Sequence, residues 1–184
     1  VSSAASDVYK RQHQTKAIIR RLTDLQWDYV IETARKLADS DPRHERTLFI
    51  MSALYGMYLR ISELTANDRW DPKMNHFFKD NDGLWWFTTV GKGNKQRNIT
   101  VSDSMLLALK RWRNHLNKSP LPSPDDTFPL IPKERGQGSI SSTNQIRNIV
   151  QYCFDATIER MQSDGLGEEA QTLQFATCLL YTSD

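Results

Sequence analysis

The chain has 184 residues, 39% hydrophobic and 25% charged, with a formal net charge of +2. These are ordinary values for one globular domain with a real core, and so mild a charge makes any DNA footprint a matter of local clustering. Two cysteines, Cys153 and Cys178, and four scattered histidines leave no disulfide framework and no expected metal site; the longest mainly apolar run, Leu48 to Leu59, is too short to cross a membrane, and no secretory signal is visible, so a reducing cytoplasm or nucleoid is expected.

Residues 1–12 show no helix or strand period and resemble a translated sequencing-adapter read-through, as do residues 178–184. Both are expected to stand outside a domain spanning 13–177. Thr23 and Gln26 form a capping box, and Trp27, Val30, Ile31, Ala34, Leu37 and Ala38 then share a helical stripe ending near Ser40, before Asp41-Pro42. A second helix, from about Arg43 to Gly56, is apolar on nearly every face and is predicted to be buried all round. Gly56 marks its end or a close helix contact. A short helix carrying Arg60 to Leu64 follows.

Three strands come next: Met74 to Phe78, Leu84 to Val90 and Gln96 to Val101, separated by turns at Asn81-Asp82-Gly83 and at Gly91 to Asn94. They predict a small antiparallel meander. Ser102 or Asp103 caps a helix to about Asn117, with Met105, Leu109, Trp112 and Leu116 inward and Lys110, Arg111 and Arg113 facing out. Residues 118–138 hold five of the seven prolines and read as a long loop. Ser141 or Ser142 caps the last strong helix, whose apolar face runs from Ile146 through Ile149, Val150, Cys153, Phe154 and Ile158 to Met161. Glu168 to Thr177 gives only a weak signal. The predicted fold is mainly α with one small three-stranded antiparallel sheet, an α+β class.

Two stretches carry chemistry. Leu59-Arg60-Ile61-Ser62-Glu63-Leu64 follows the buried helix, and Gly91-Lys92-Gly93-Asn94-Lys95-Gln96-Arg97 begins 31 residues after Arg60. In this order and spacing the pair resembles the arginine box and the strand–turn–strand lysine of the tyrosine recombinases, the phage-integrase family. The resemblance covers roughly residues 20 to 177. It implies a recombinase catalytic domain that breaks and rejoins DNA strands through a 3′-phosphotyrosine, with no metal and no nucleotide cofactor. It implies double-stranded DNA as partner, a homotetramer on DNA for the full-length enzyme, no membrane, and a bacterial nucleoid-associated or phage-encoded setting. The family's next motif, His-x-x-Arg, is absent: the residues three positions after the four histidines are Lys16, Thr47, Lys79 and Lys118. The expectation is therefore a fragment that lacks the C-terminal helices and the nucleophile. Tyr181, four residues after Thr177, comes too early to be that nucleophile.

The resemblance makes Arg60 and Lys92 catalytic. Arginine suits a phosphate whose charge grows in the transition state, because its planar fork donates two parallel hydrogen bonds and stays charged. A lysine has a movable pKa and can protonate a leaving 5′ oxygen, as the family's lysine is thought to do; Lys95 is the rival for this part. Without the resemblance, Arg60 reads as a partner of Glu63 on a solvated face and Lys92 as an ordinary hairpin tip. Lys95 and Arg97 read as DNA-phosphate contacts or as solubilising edge charges. Glu63 and Asp68 read as caps or arginine partners, and Trp85, Trp86 and Phe87 as core rather than a base-stacking platform. The competing functions are a non-catalytic DNA-binding module, such as an inactivated integrase remnant, and a helical interaction domain.

Overall fold

Thr23 and Gln26 close the capping box in both directions: Thr23 N donates to Gln26 Oε1 at 2.9 Å and Gln26 N to Thr23 Oγ1 at 3.1 Å. Helix α1 (Asp24–Ser40) starts there and stops at Asp41, whose carboxylate accepts from Arg43 N as the chain enters the short 3-10 turn Pro42–His44. This computed structural model describes residues 22–180, with side chains through 177. The adapter-like residues 1–12, and Tyr181 with the rest of 181–184, lie outside the described residues; residues 178–180 are described as helical backbone only.

The remaining elements are α2 (Glu45–Gly56), β1 (Phe77–Lys79), β2 (Trp85–Val90), β3 (Gln96–Thr100), α3 (Asp103–His115), α4 (Thr143–Ser163) and α5 (Gly167–Leu180), with single 3-10 turns at Ile61–Glu63, Met74–His76 and Lys92–Asn94. The strands form one antiparallel sheet in the order β1-β2-β3. This is the α+β class that the sequence predicts. The chain divides into two compact units, residues 22–33 with 151–180, and Ala34–Val150.

In the unit Ala34–Val150, α2 is buried without interruption from Thr47 to Leu54. So apolar a helix has no face for water, and its segment is stabilised by packing on every side. Phe49 stacks on Trp112 of α3 at 5.4 Å, and Trp112 Nε1 donates to Leu130 O at 2.8 Å. Gly56 is the last residue of α2 and is exposed; a Cβ there would meet only Met105 Sδ, at an ordinary 3.4 Å, so the glycine marks the helix end. On the sheet, Phe87 is fully buried and pairs with Phe77 on one side and Ile99 on the other. Trp85 and Trp86 are half-buried; Trp86 Nε1 donates to Asp80 at 2.8 Å, a bond that holds this carboxyl below its usual range.

Three expectations are corrected here. Met74 to His76 is a 3-10 turn rather than strand, because His76 Nδ1 accepts from Lys73 N at 2.8 Å and closes it. Arg113 does not face out; it is 2% exposed, with Nη1 on Asp126 at 2.6 Å, Nε on Ser119 O at 2.7 Å and Nη2 on Ser119 Oγ at 3.1 Å. One guanidinium thus ties the proline-rich loop to α3. Leu116 and Ile149 are half-buried rather than core. The loop is pinned further by backbone bonds from Met74 N to Phe128 O and from Leu130 N to Pro72 O.

In the other unit, Cys153, Phe154, Thr157, Ile158 and Met161 of α4 are buried together with Val30 of α1. Arg160 donates to Thr33 Oγ1 at 2.7 Å and lies over the Tyr29 ring, whose hydroxyl donates to Asp164 at 2.8 Å. Residues 167–180, weak in the sequence, are helix α5, and Ala170, Leu173, Ala176 and Thr177 make its narrow buried stripe.

Candidate functional site

Every residue singled out for function lies in the unit Ala34–Val150. Arg60 has extended backbone (φ −84°, ψ 154°) and immediately precedes the turn Ile61–Glu63. Its carbonyl accepts from Glu63 N at 2.9 Å, and its own N–H donates to Glu63 Oε1 at 3.0 Å. The backbone of Arg60 is therefore fixed from both sides by Glu63. The ion pair of Arg60 with Glu63 on a solvated face does not form: the Arg60 side chain is exposed and has no partner among the described residues, while Glu63 is 1% exposed.

The Glu63 carboxylate faces the sheet. Thr89 Oγ1 of β2 donates to Oε2 at 2.8 Å, and Arg97 Nη2 of β3 donates to Oε1 and Oε2 at 3.0 and 3.1 Å. Thr89 and Arg97 are direct partners in the β2–β3 register, and directly paired residues share one face of the sheet. A single buried carboxylate thereby accepts from the arginine box and from both strands of the hairpin. Burying it would be costly without donors. Here a backbone N–H, a hydroxyl and a guanidinium supply them. Trp70 Nε1 adds a bond to Glu63 O at 2.9 Å, which holds the same turn from its other side.

The hairpin ends in a tight tip. Gly91 N donates to Lys95 O at 2.9 Å, and Asn94 N to Gly91 O at 3.2 Å. Gly93 has φ 76° and Asn94 φ 60°, two left-handed residues in succession that suit glycine and asparagine. The side chains of Lys92 and Lys95 are exposed and have no partner among the described residues. Arg97 is the exception in this basic stretch: Nη2 is held by Glu63, while the side chain stays 48% exposed. Its remaining N–H groups make no hydrogen bond with the described residues, so an anchoring part is compatible with a phosphate contact. Asp68 is exposed and takes no part; the neighbouring turn is made by Asn67, which accepts from Arg69 N and Trp70 N.

Sequence reasoning missed Thr89. Its signal was the strand period: Thr89 falls on the buried face with Phe87, and a hydroxyl at an inward position needs a polar partner. Among the described residues no three His, Cys, Asp or Glu side chains are grouped to hold a metal ion, and no helix is long and apolar enough to cross a membrane.

No family model and no curated protein matches the sequence. Among solved structures, the chain is similar to a crystal structure of the XerH site-specific recombinase bound to palindromic difH substrate in a post-cleavage complex. The TM-score is 0.47 at 15% sequence identity, over 87% of this chain and 48% of that one. The chain thus spans about half the length of that protein.

Proposed function

We propose that this chain is the arginine–lysine part of a tyrosine-type site-specific DNA recombinase. The observation that carries the reading is the Glu63 carboxylate, which holds Arg60 N, Thr89 and Arg97 at once and so fixes the arginine box to the hairpin that bears Lys92. Three cationic side chains, Arg60, Lys92 and Lys95, are left without partners among the described residues. In this reading Arg60 donates to the nonbridging oxygens of the scissile phosphate, where charge builds as the bond breaks. Lys92 delivers a proton to the leaving 5′ oxygen. Lys95, with the free N–H groups of Arg97, holds flanking phosphates and positions the duplex without reading its sequence.

The complete reaction also needs a tyrosine nucleophile and the His-x-x-Arg groups, and no stretch of this chain matches that box. The chain by itself is therefore assigned salt-sensitive binding of double-stranded DNA, and strand exchange, as a tetramer on DNA in the bacterial cytoplasm, is assigned to the full-length enzyme. A DNA-binding module without catalysis is the second reading; the same free cations favour it, and it differs in what a longer reading frame encodes. The test is a suicide DNA substrate that traps covalent protein–DNA adducts, applied to this chain and to Tyr181→Phe. Binding without adduct is expected from both. An adduct formed by the first and lost in the second would make Tyr181 the nucleophile and overturn the assignment. A reading frame that continues past Thr177 into a His-x-x-Arg box, with a tyrosine some tens of residues on, would decide for the enzyme over the binding module.

A further inference from the structure

Among the described residues three that are not glycine have positive φ: Tyr58 at 53°, Asn94 at 60° and Asn117 at 59°. Asparagine enters this region readily. An aromatic side chain does so against its own Cβ, and such a residue is a genuine outlier. Tyr58 is also 73% exposed, and its side chain makes no hydrogen bond or ring contact with the described residues. Its ring therefore offers little burial to offset the strain.

The position itself has a clear geometric task. Met57 N donates to Ala53 O at 3.1 Å and Leu59 N to Leu54 O at 3.0 Å, the six-to-one closure of a helix end whose left-handed residue is Tyr58. This turn takes the chain out of buried α2 and into Leu59-Arg60. Glycine fills such a position without strain. Gly56, two residues earlier, does not serve, because it still lies within the helix. A strained, exposed aromatic residue is thus set where a glycine would be more stable, two residues from the arginine assigned to the phosphate. Strained residues of this kind cluster at functional sites.

We infer that Tyr58 is a DNA-contact residue, its phenol O–H donating to the backbone phosphate next to the one held by Arg60. The inference rests on the reading of Arg60 given above. Two residues span at most about 7 Å of chain, so the backbones of Tyr58 and Arg60 stand close enough to serve one DNA strand. Tyrosine hydroxyls are ordinary donors to DNA phosphates, and such contacts fix register without specifying sequence.

The test uses the full chain, a mixed-sequence DNA duplex followed by fluorescence anisotropy, and thermal unfolding. Tyr58→Phe keeps the strain and loses the donor; it is expected to bind about tenfold more weakly, as for one hydrogen bond to a charged acceptor, with Tm unchanged. Tyr58→Gly is expected to lose at least as much affinity while raising Tm by roughly 2–4 °C. Affinity and stability then move in opposite directions, which a merely structural residue does not produce. If both variants bind as the parent does while Lys95→Ala still weakens binding, Tyr58 is not a contact and the basic hairpin stands. If Tyr58→Gly lowers Tm, the ring serves the fold and the inference fails. If the parent chain shows no salt-dependent binding, the underlying site assignment fails and takes this inference with it.

Discussion

Replacing Glu63 by alanine removes the acceptor on which the arginine box and the hairpin meet, and the cost can be worked from each donor in turn. Thr89 is fully buried, so its hydroxyl is stranded away from water; such a group costs about 1–3 kcal/mol. Arg60 N loses a bond in a part-buried setting, about 0.5–1.5 kcal/mol. Arg97 is 48% exposed and can turn to solvent, so the lost ion pair contributes under about 1 kcal/mol. Glu63→Ala is therefore expected to destabilise the unit Ala34–Val150 by about 2–4 kcal/mol, most of it from Thr89. The assay is urea unfolding followed by tryptophan fluorescence, for which Trp70, bonded to Glu63 O, is a local reporter. The midpoint should fall with little change in slope. Adding Thr89→Val should return about 1 kcal/mol, because an apolar group of the same shape no longer needs the carboxylate. A loss below about 0.5 kcal/mol, within the range of an ordinary surface substitution, or no rescue by Thr89→Val, would refute the view of Glu63 as the joint between the two motifs.

Two further outcomes follow from the fold. Arg113→Met should cost about 3–5 kcal/mol, because Asp126, 15% exposed in its side chain, is left charged without its partner; Arg113→Met/Asp126→Asn should recover part of this in the same unfolding assay. Burial pushes the Cys153 thiol from an ordinary 9.0 up to about 12, so in the folded chain it should resist alkylation at pH 8, as read by peptide mass mapping. The sign for stability is set by the neutral form: below the unfolded value both states keep the proton, and as pH rises above 9.0 only the unfolded thiol ionises. The Cys153 contribution is thus intact below that pH and lost as pH climbs toward 12, a loss that Cys153→Ala should remove.

What was legible in the sequence was local. Thr23 and Gln26 lie three residues apart and announce their own box, and the glycines around Lys92 and the alternation at Ile99 announce the hairpin. What was not legible depends on partners far along the chain. Arg113 looks like an outward charge beside Trp112 until the loop brings Asp126 to it from 13 positions away. Glu63 and Arg97 are 34 positions apart, so the nearest arginine, Arg60, looked like the partner, whereas the structure gives Glu63 the backbone of Arg60 and the side chain of Arg97. Helix α5 gave a weak signal because, among the described side chains, its buried stripe is two alanines and a threonine around Leu173. The left-handed backbone of Tyr58 left no trace at all, since the residue type argues against it.

The central claim is that the basic hairpin beside Arg60 holds DNA phosphates. It is tested most directly by the salt dependence of duplex binding for the parent chain and for Lys95→Ala/Arg97→Ala. Each cation that neutralises a phosphate contributes about 0.9 to the slope of log affinity against log salt, and the account predicts a salt-dependent parent whose slope falls by about two units in the double variant. The loss should be alike for unrelated DNA sequences, since phosphate contacts carry no base information. An unchanged slope in the double variant, or a parent chain that does not bind DNA at low salt, would contradict it.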